Sequence, residues 1–149
     1  DTIAPGKDAH GVPVLGKIKD SSSDQFKNFC LAVGEPKHRK NLYEHAALKD
    51  KVFPKIIHPT AYISDNSIIE QGVYIGPLSS VLPETRVNKF SCLLAHCNIN
   101  QNVLIEEFVL IGASAVIGNG AIINQGAHLS MASIVNPREQ IESWSYYKN

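Results

Sequence analysis

The feature that most constrains this chain is a six-residue repeat of aliphatic side chains in its second half. From Ile57 to Val135, every sixth residue is Ile, Val or Leu, which makes fourteen consecutive matches. An α-helix is excluded because steps of six residues, at about 100° per residue, would scatter these side chains around the helix axis. A β-sandwich is disfavoured because its turns recur roughly every 8–12 residues without a fixed phase. The repeat therefore predicts a solenoid of short parallel β-strands.

A second register lies two positions before each aliphatic residue. Its members are small or compact side chains: Ala61, Ser67, Val73, Ser79, Thr85, Ser91, Cys97, Val103, Val109, Ala115, Ala121, Ala127 and Ser133. One large and one small inward residue per six suits a narrow coil, whose interior has no room for two large side chains on each edge. Glycines gather between the aliphatic residues, as expected for tight corners with positive φ, among them Gly72, Gly76, Gly112, Gly118 and Gly126.

Charged residues divide the chain into two parts. Residues 1–56 contain 17 Asp, Glu, Lys or Arg residues, whereas residues 57–135 contain only seven. This change predicts a boundary between one domain over residues 1–54 and a second over residues 55–149. The net charge of zero and the lack of a long basic run argue against nucleic acid as a partner, and no stretch approaches the roughly 18 apolar residues of a membrane span. Three cysteines without a paired spacing predict a reducing compartment, the cytoplasm.

The first domain has the pattern of an incomplete α/β fold. Residues 29–33 predict a buried strand, and residues 36–50 predict a helix with Tyr43, Ala46 and Ala47 on one side. A strand, a glycine and a helix in this order fit a nucleotide-binding module. One helix with one or two strands cannot cover both faces of a sheet. We therefore expect the chain to be an internal segment of a longer protein.

Three stretches and the repeat resemble the hexapeptide-repeat sugar acetyltransferases, the family of sialic acid O-acetyltransferase and of nucleotide-linked amino-sugar N-acetyltransferases. The similar stretches are residues 11–16, 31–39 and 53–61. The resemblance implies a mainly β fold, a left-handed parallel β-helix of hexapeptide repeats preceded by part of a small α/β, Rossmann-like domain. It further implies that residues 1–54 belong to a sugar-nucleotide-binding domain, that residues 55–149 bind acetyl-CoA as co-substrate, and that the protein is a homotrimer.

The middle coil departs from the family pattern. The family has an acidic residue, a catalytic histidine and a second acidic residue where this chain has Asn100, Gln101 and Asn102, and it has a second histidine, which contacts the acyl donor, at Leu110. A glutamine amide cannot take a proton from a hydroxyl nucleophile near neutral pH. An amine, once deprotonated, attacks a thioester unaided if the site orients it and supplies an oxyanion donor. The residues therefore favour an amino-sugar acceptor, with Gln101 or a backbone N–H as the donor.

Several other residues of the coils are candidates for either a chemical or a structural role. His96 is a candidate substitute base, with a solvated or packed corner histidine as the alternative. We assign no role to His128, which lies next to an inward position, and no metal, because no two histidines have metal-ligand spacing. Cys97 occupies a small inward position, where burial makes a thiol inert. The resemblance implies contacts to the acyl donor at Leu110, Gly112, Ala113, Gly118 and Gly120.

Two functions from different classes follow from these residues. The first is an acetyl-CoA-dependent acetyltransferase acting on a sugar or a nucleotide-linked amino sugar. The alternative is a catalytically silent trimeric homologue that binds sugar or acyl-CoA without turnover, which the loss of the histidine at Gln101 favours. Leucines outside the inward registers predict an apolar flank through which three copies pack, with ligand grooves between them: Leu78, Leu82, Leu94, Leu104 and Leu110.

Overall fold

The structure, a computed structural model, describes residues 8–9, 11–18, 27–45, 48 and 50–148. Its larger part is a parallel β-solenoid of sixteen two-residue strands, β3 to β18, which make about five turns between Ile56 and Tyr147. No helix occurs between residues 56 and 148. The predicted solenoid is confirmed, and it continues past Val135, the last residue of the aliphatic repeat, by two strands.

Each strand pairs with the strand three positions further along the chain, so the solenoid has three faces. The first face contains β3 Ile56–Ile57, β6 Tyr74–Ile75, β9 Cys92–Leu93, β12 Leu110–Ile111, β15 His128–Leu129 and β18 Tyr146–Tyr147. The second face contains β4 Tyr62–Ile63, β7 Ser80–Val81, β10 Asn98–Ile99, β13 Val116–Ile117 and β16 Ile134–Val135. The third face contains β5 Ile68–Ile69, β8 Arg86–Val87, β11 Leu104–Ile105, β14 Ile122–Ile123 and β17 Gln140–Ile141.

The two sequence registers form the core of the solenoid. The second residue of every strand from Ile69 to Ile141 is buried, and so is every member of the small register from Val73 to Ser133. Because side chains alternate along a strand, the first residue of each strand points outward. Burying one aliphatic side chain contributes about 1.5–3 kcal/mol, so the repeated inward residue is the main source of stability. Both predicted inward registers are confirmed from Ile69 and Val73 onward, whereas Ile57, where the predicted inward stack begins, is exposed.

The corners of the coils contain left-handed backbone at a fixed period. Every sixth residue from Gly72 to Trp144 has positive φ, and ten of these thirteen residues are not glycine. Gly76, Gly112 and Gly118 fall outside this set, so the expectation that they supply positive φ is wrong. Glycine is needed at these three corners for space, because a β-carbon would lie 2.5–2.9 Å from the backbone of the next coil.

The part of the chain before the solenoid differs from the prediction. Asp8–Ala9 (β1) pairs with Val12–Pro13 (β2) in antiparallel orientation. Residues 29–33 do not form the expected buried strand, and their exposure alternates. Next to them, Asn28 and Val52 form one isolated parallel β-bridge. The bridge is not extended into a sheet, because no strand of the described residues runs beside residues 29–33.

Helix α1, Pro36–Tyr43, is shorter than the predicted helix over residues 36–50. It begins after Glu35, whose carboxylate accepts a hydrogen bond of 2.8 Å from the backbone N–H of His38, with proline in the first turn. Ala46 and Ala47 lie outside the described residues. The Rossmann-like domain, its boundary at residue 54 and the left hand of the coil stay predictions.

Aromatic side chains join α1 to one corner of the solenoid. Phe90 and Phe108, one coil apart, stack with centroids 5.4 Å apart and planes inclined by 13°. Tyr43 from α1 lies 4.3 Å from Phe90, and Phe53 meets Phe90 edge-on at 5.1 Å. These pairs bury the apolar side of α1, which by itself has few apolar residues.

Arg39 provides the polar part of the same junction. Its side chain is buried, with 1% of its surface exposed, and burial lowers its pKa, which Cys92 and Glu35 partly offset. Each guanidinium nitrogen donates to main-chain oxygen at 2.7–3.1 Å. The acceptors are the carbonyls of Val33, Gly34, Phe90, Phe108 and Val109.

Candidate functional site

Among the described residues, a cavity open to solvent lies on the outside of the first face, in its last three coils. It has a volume of about 390 Å³. Leu110, His128 and Tyr146 are the first residues of β12, β15 and β18 and are paired in register, so their outward side chains form one column along this cavity. The remaining lining comes from residues that begin the adjoining corners, including Leu94, Gly112, Ser130 and Met131.

The cavity combines an apolar wall with a single charge. Leu94, Leu110 and Met131 supply apolar surface, whereas Lys148 is the only charged residue of the lining. No Asp or Glu lines the cavity. An apolar slot with a cation at one end suits a ligand that has both an apolar segment and an anionic group.

His128 is a functional candidate that the sequence analysis missed. Its imidazole meets the ring of Tyr146 edge-on, with centroids 4.9 Å apart. Burial lowers the pKa of His128; Glu35 partly offsets this, and Arg39 adds to it. The indication in the sequence is that His128 follows Leu110 by eighteen residues, which places the two side by side on adjacent strands. This spacing is informative only when one coil is known to contain eighteen residues.

The residues expected to bind the acyl donor fall into two groups. Leu110 and Gly112 line the cavity, and Ala113 lies at the same corner, where its carbonyl accepts a hydrogen bond of 2.8 Å from the N–H of Ala132. Gly118 and Gly120 lie at the next corner and do not line the cavity. A role for these two glycines in binding stays a prediction.

The predicted catalytic residues lie at two other corners. Gln101 and Asn102 are exposed between β10 and β11, and His96 is exposed between β9 and β10. These residues make main-chain hydrogen bonds between coils, for example from the Asn102 N–H to the carbonyl of Pro83 at 3.0 Å. Within one chain, the structure does not bring these three side chains into the cavity beside Leu110.

Two features are absent from the described residues, a cluster of metal ligands and a membrane-spanning helix. Among these residues, no group of three or more His, Cys, Asp or Glu residues is arranged to hold a metal ion. No helix in the described ranges is long and apolar enough to cross a membrane.

Comparison with solved structures identifies the fold class. The acetyltransferase domain of PglB from Neisseria gonorrhoeae, in complex with acetyl coenzyme A, superposes with a TM-score of 0.75 at 22% identity, over 98% of this chain and 80% of that one. WeeI from Acinetobacter baumannii gives 0.71 at 18% identity, over 91% of this chain and 77% of that one.

A third solved structure is a histidine-to-alanine mutant of GDP-perosamine N-acetyltransferase from Caulobacter crescentus, in complex with CoA and GDP-perosamine. It gives a TM-score of 0.64 at 17% identity, over 95% of this chain and 75% of that one. No family model and no curated protein matches the chain. The expected resemblance to hexapeptide-repeat sugar acetyltransferases is therefore confirmed at the level of the fold.

Proposed function

We propose that this protein is an acetyl-CoA-dependent acetyltransferase whose acceptor is the amine of a sugar or of a nucleotide-linked amino sugar. The observation that carries the proposal is the cavity on the first face, because its lining includes Leu110 and Gly112, two residues that the resemblance assigns to the acyl donor. Its volume of about 390 Å³ falls within the range of small-ligand sites. Two structures of the same fold contain acetyl coenzyme A or CoA, which supports acetyl-CoA as the co-substrate.

The lining of the cavity is chemically complementary to two parts of acetyl-CoA, its pantetheine arm and its phosphates. The pantetheine arm is flexible, and the apolar segments between its amides would lie against Leu94, Leu110 and Met131. The phosphates of CoA are anionic, and Lys148 is the cation available to them. The N–H of Gly112 donates to the carbonyl of Leu129 at 2.9 Å, so the thioester carbonyl would have to accept from another backbone N–H of this corner.

The acceptor is inferred to be an amine because of the residues at the corner between β10 and β11. Gln101 and Asn102 are exposed amides, and neither side chain has a basic nitrogen. An amine needs less activation than a hydroxyl to attack a thioester. The mutant enzyme from Caulobacter crescentus was solved with CoA and GDP-perosamine, which supports a nucleotide-linked amino sugar as the acceptor class.

We further infer a homotrimer that packs through the second face of the solenoid. The outward residues Tyr62, Val116 and Ile134 of this face are exposed, and so is Leu78 at the neighbouring corner. Such a surface is more apolar than an isolated coil normally presents to water. The flank predicted from five leucines was wrong in its membership, because those leucines lie on all three sides of the coil and Leu110 is buried.

Three further inferences concern the handedness of the coil, the role of the first domain and the cellular compartment. A left-handed coil and a sugar-nucleotide-binding role for residues 1–54 follow the resemblance. Arg39 would hold that domain against the acyl-donor domain, since its guanidinium joins carbonyls on both sides of residue 54. The three cysteines of the chain are free, which agrees with residence in the cytoplasm.

The test is release of free CoA from acetyl-CoA, measured with a panel of nucleotide amino sugars and with the matching hydroxyl sugars. We expect turnover with amines and little with hydroxyls. Acetyl-CoA binding by calorimetry without turnover on any acceptor would instead favour the catalytically silent homologue.

A matched pair of lysine variants tests where the acyl donor binds. Lys148→Gln should raise the KM for acetyl-CoA by roughly fivefold, because a charged hydrogen bond to phosphate is lost. Lys55→Gln removes an exposed lysine away from the cavity and should leave KM unchanged. Equal KM values for both variants and the wild type would argue against acetyl-CoA in this cavity.

A further inference from the structure

The acyl-donor cavity contains one side chain that can accept a proton near neutral pH, and it comes from an unexpected coil. Leu110 stands where the resemblance expects a histidine. His128 is its register partner on the next strand of the first face, and both line the cavity. The outward column of the first face therefore contains an imidazole, that of His128, one coil after Leu110, where the resemblance expects a histidine.

The surroundings of His128 leave its imidazole available. Tyr146 contacts it through the ring edge at 4.9 Å, and among the described residues no group hydrogen-bonds to either ring nitrogen. Glu35 and Arg39 act on its charge from a distance, Glu35 raising its pKa and Arg39 lowering it, while Lys148 belongs to the same cavity. Because burial lowers its pKa, the imidazole is uncharged near neutral pH, the state that accepts a proton.

We propose that His128 is the general base of acyl transfer in this cavity, an inference that rests on the proposed acetyltransferase function. As the acceptor nitrogen forms its bond to the thioester carbonyl carbon, one ring nitrogen of His128 takes the proton that this nitrogen loses. The C–S bond then breaks, and the imidazolium returns the proton to the CoA thiolate. The products are the acetamide and free CoA, with atoms and charge balanced.

The other described histidines, His38, His45, His58 and His96, are less suited to this step, because none of them lines the cavity. His96 is exposed at a corner outside the cavity. His58 is engaged with Thr60, whose hydroxyl lies 2.9 Å from its Nδ1. His38 is exposed on α1, 3.9 Å from the carboxylate of Glu35.

The experiment compares His128→Ala with the wild type in the full chain, by CoA release and by calorimetry with acetyl-CoA. We expect kcat to fall by about a hundredfold or more, the usual contribution of a general base, while the Kd for acetyl-CoA changes by less than about threefold. Added imidazole should restore at least a tenth of the lost rate, which a purely structural role would not allow. The matched control His58→Ala should keep kcat within about twofold of the wild type.

The outcomes separate this proposal from the function on which it rests. An active wild type whose His128→Ala variant keeps its kcat, or loses rate and acetyl-CoA binding together without imidazole rescue, would overturn the role of His128 alone. A wild type that releases no CoA with any acceptor would overturn both.

Discussion

The guanidinium of Arg39 donates a hydrogen bond of 2.8 Å to the carbonyl of Phe108, although the two residues are 69 positions apart. The same guanidinium reaches Phe90, one coil earlier, and Val33 and Gly34 on its own side. The beginning of α1 is thus tied to two successive coils of the solenoid.

Removing this guanidinium should weaken the junction. We expect Arg39→Ala to lower the free energy of unfolding by about 3 kcal/mol, since buried carbonyls lose their donors. Arg39→Lys should cost an intermediate amount, because an ammonium group cannot span both sets of acceptors. Urea denaturation gives the free energies, and hydrogen exchange of α1 amides localises the effect.

The control for Arg39 is Lys37→Ala, an exposed position on the same helix, which should change stability by less than about 0.5 kcal/mol. An Arg39→Ala protein as stable as this control would show that Arg39 does not stabilise the junction between α1 and the solenoid.

Two glycines with the same backbone conformation should respond differently to alanine. Gly120 and Gly126 both have φ of +68°. A β-carbon on Gly120 would approach Arg138 at an ordinary 3.5 Å, whereas one on Gly126 would overlap the indole ring of Trp144. We expect Gly120→Ala to cost about 1 kcal/mol from left-handed backbone strain, and Gly126→Ala at least about 1 kcal/mol more from overpacking.

Thermal denaturation of the two alanine variants measures this difference. The double variant Gly126→Ala, Trp144→Ala should recover part of the loss, because the overlapping ring is gone. Equal destabilisation by the two single variants would show that the indole does not pack on Gly126.

Stability should fall in alkaline solution because of Cys97. The thiol is buried inside the coil, and desolvation raises its pKa from 9.0 to about 11. The folded state favours the neutral thiol, so this contribution is fully present below pH 9 and is lost as the pH rises from about 9 to 11. The loss amounts to about 2–3 kcal/mol for a shift of this size. Urea denaturation between pH 8 and 11 measures it.

Cys97→Ala is the control for the alkaline effect, since it removes the titrating group from the same position. Its stability should depend less on pH than that of the wild type. Identical pH profiles would assign the alkaline loss to other groups.

The proposed trimer interface can be tested with two isoleucines of similar exposure. Ile134 lies outward on the second face and Ile68 outward on the third. Ile134→Lys should shift the sedimentation coefficient from trimer to monomer, because three lysines would be buried near one another. Ile68→Lys should leave the trimer intact. A wild type that sediments as a monomer at all concentrations would contradict the proposal.

Much of the fold could be predicted from the sequence, because the solenoid has a strict local period. Each six-residue unit turns one corner and presents one large and one small side chain inward, so positions such as Ile99 and Cys97 could be assigned to the core from spacing alone. The same logic failed for residues 29–33. An apolar run becomes a strand only when another strand lies beside it, and no local pattern specifies that neighbour.

The candidate site depended more on tertiary structure. Leu110 and Gly112 could be assigned from the resemblance, but the cavity that they share with His128 and Lys148 is formed by side chains from successive coils. No local pattern indicated that the last coils would leave a cavity there.

The sequence by itself therefore determined the inward registers and the succession of short strands, since both depend on local alternation and a fixed period. Only the tertiary structure decided that His128 shares the column of Leu110 and that Arg39 reaches Phe108. The physical reason is that these contacts join residues 18 and 69 positions apart, whose proximity depends on how coils stack and helices dock.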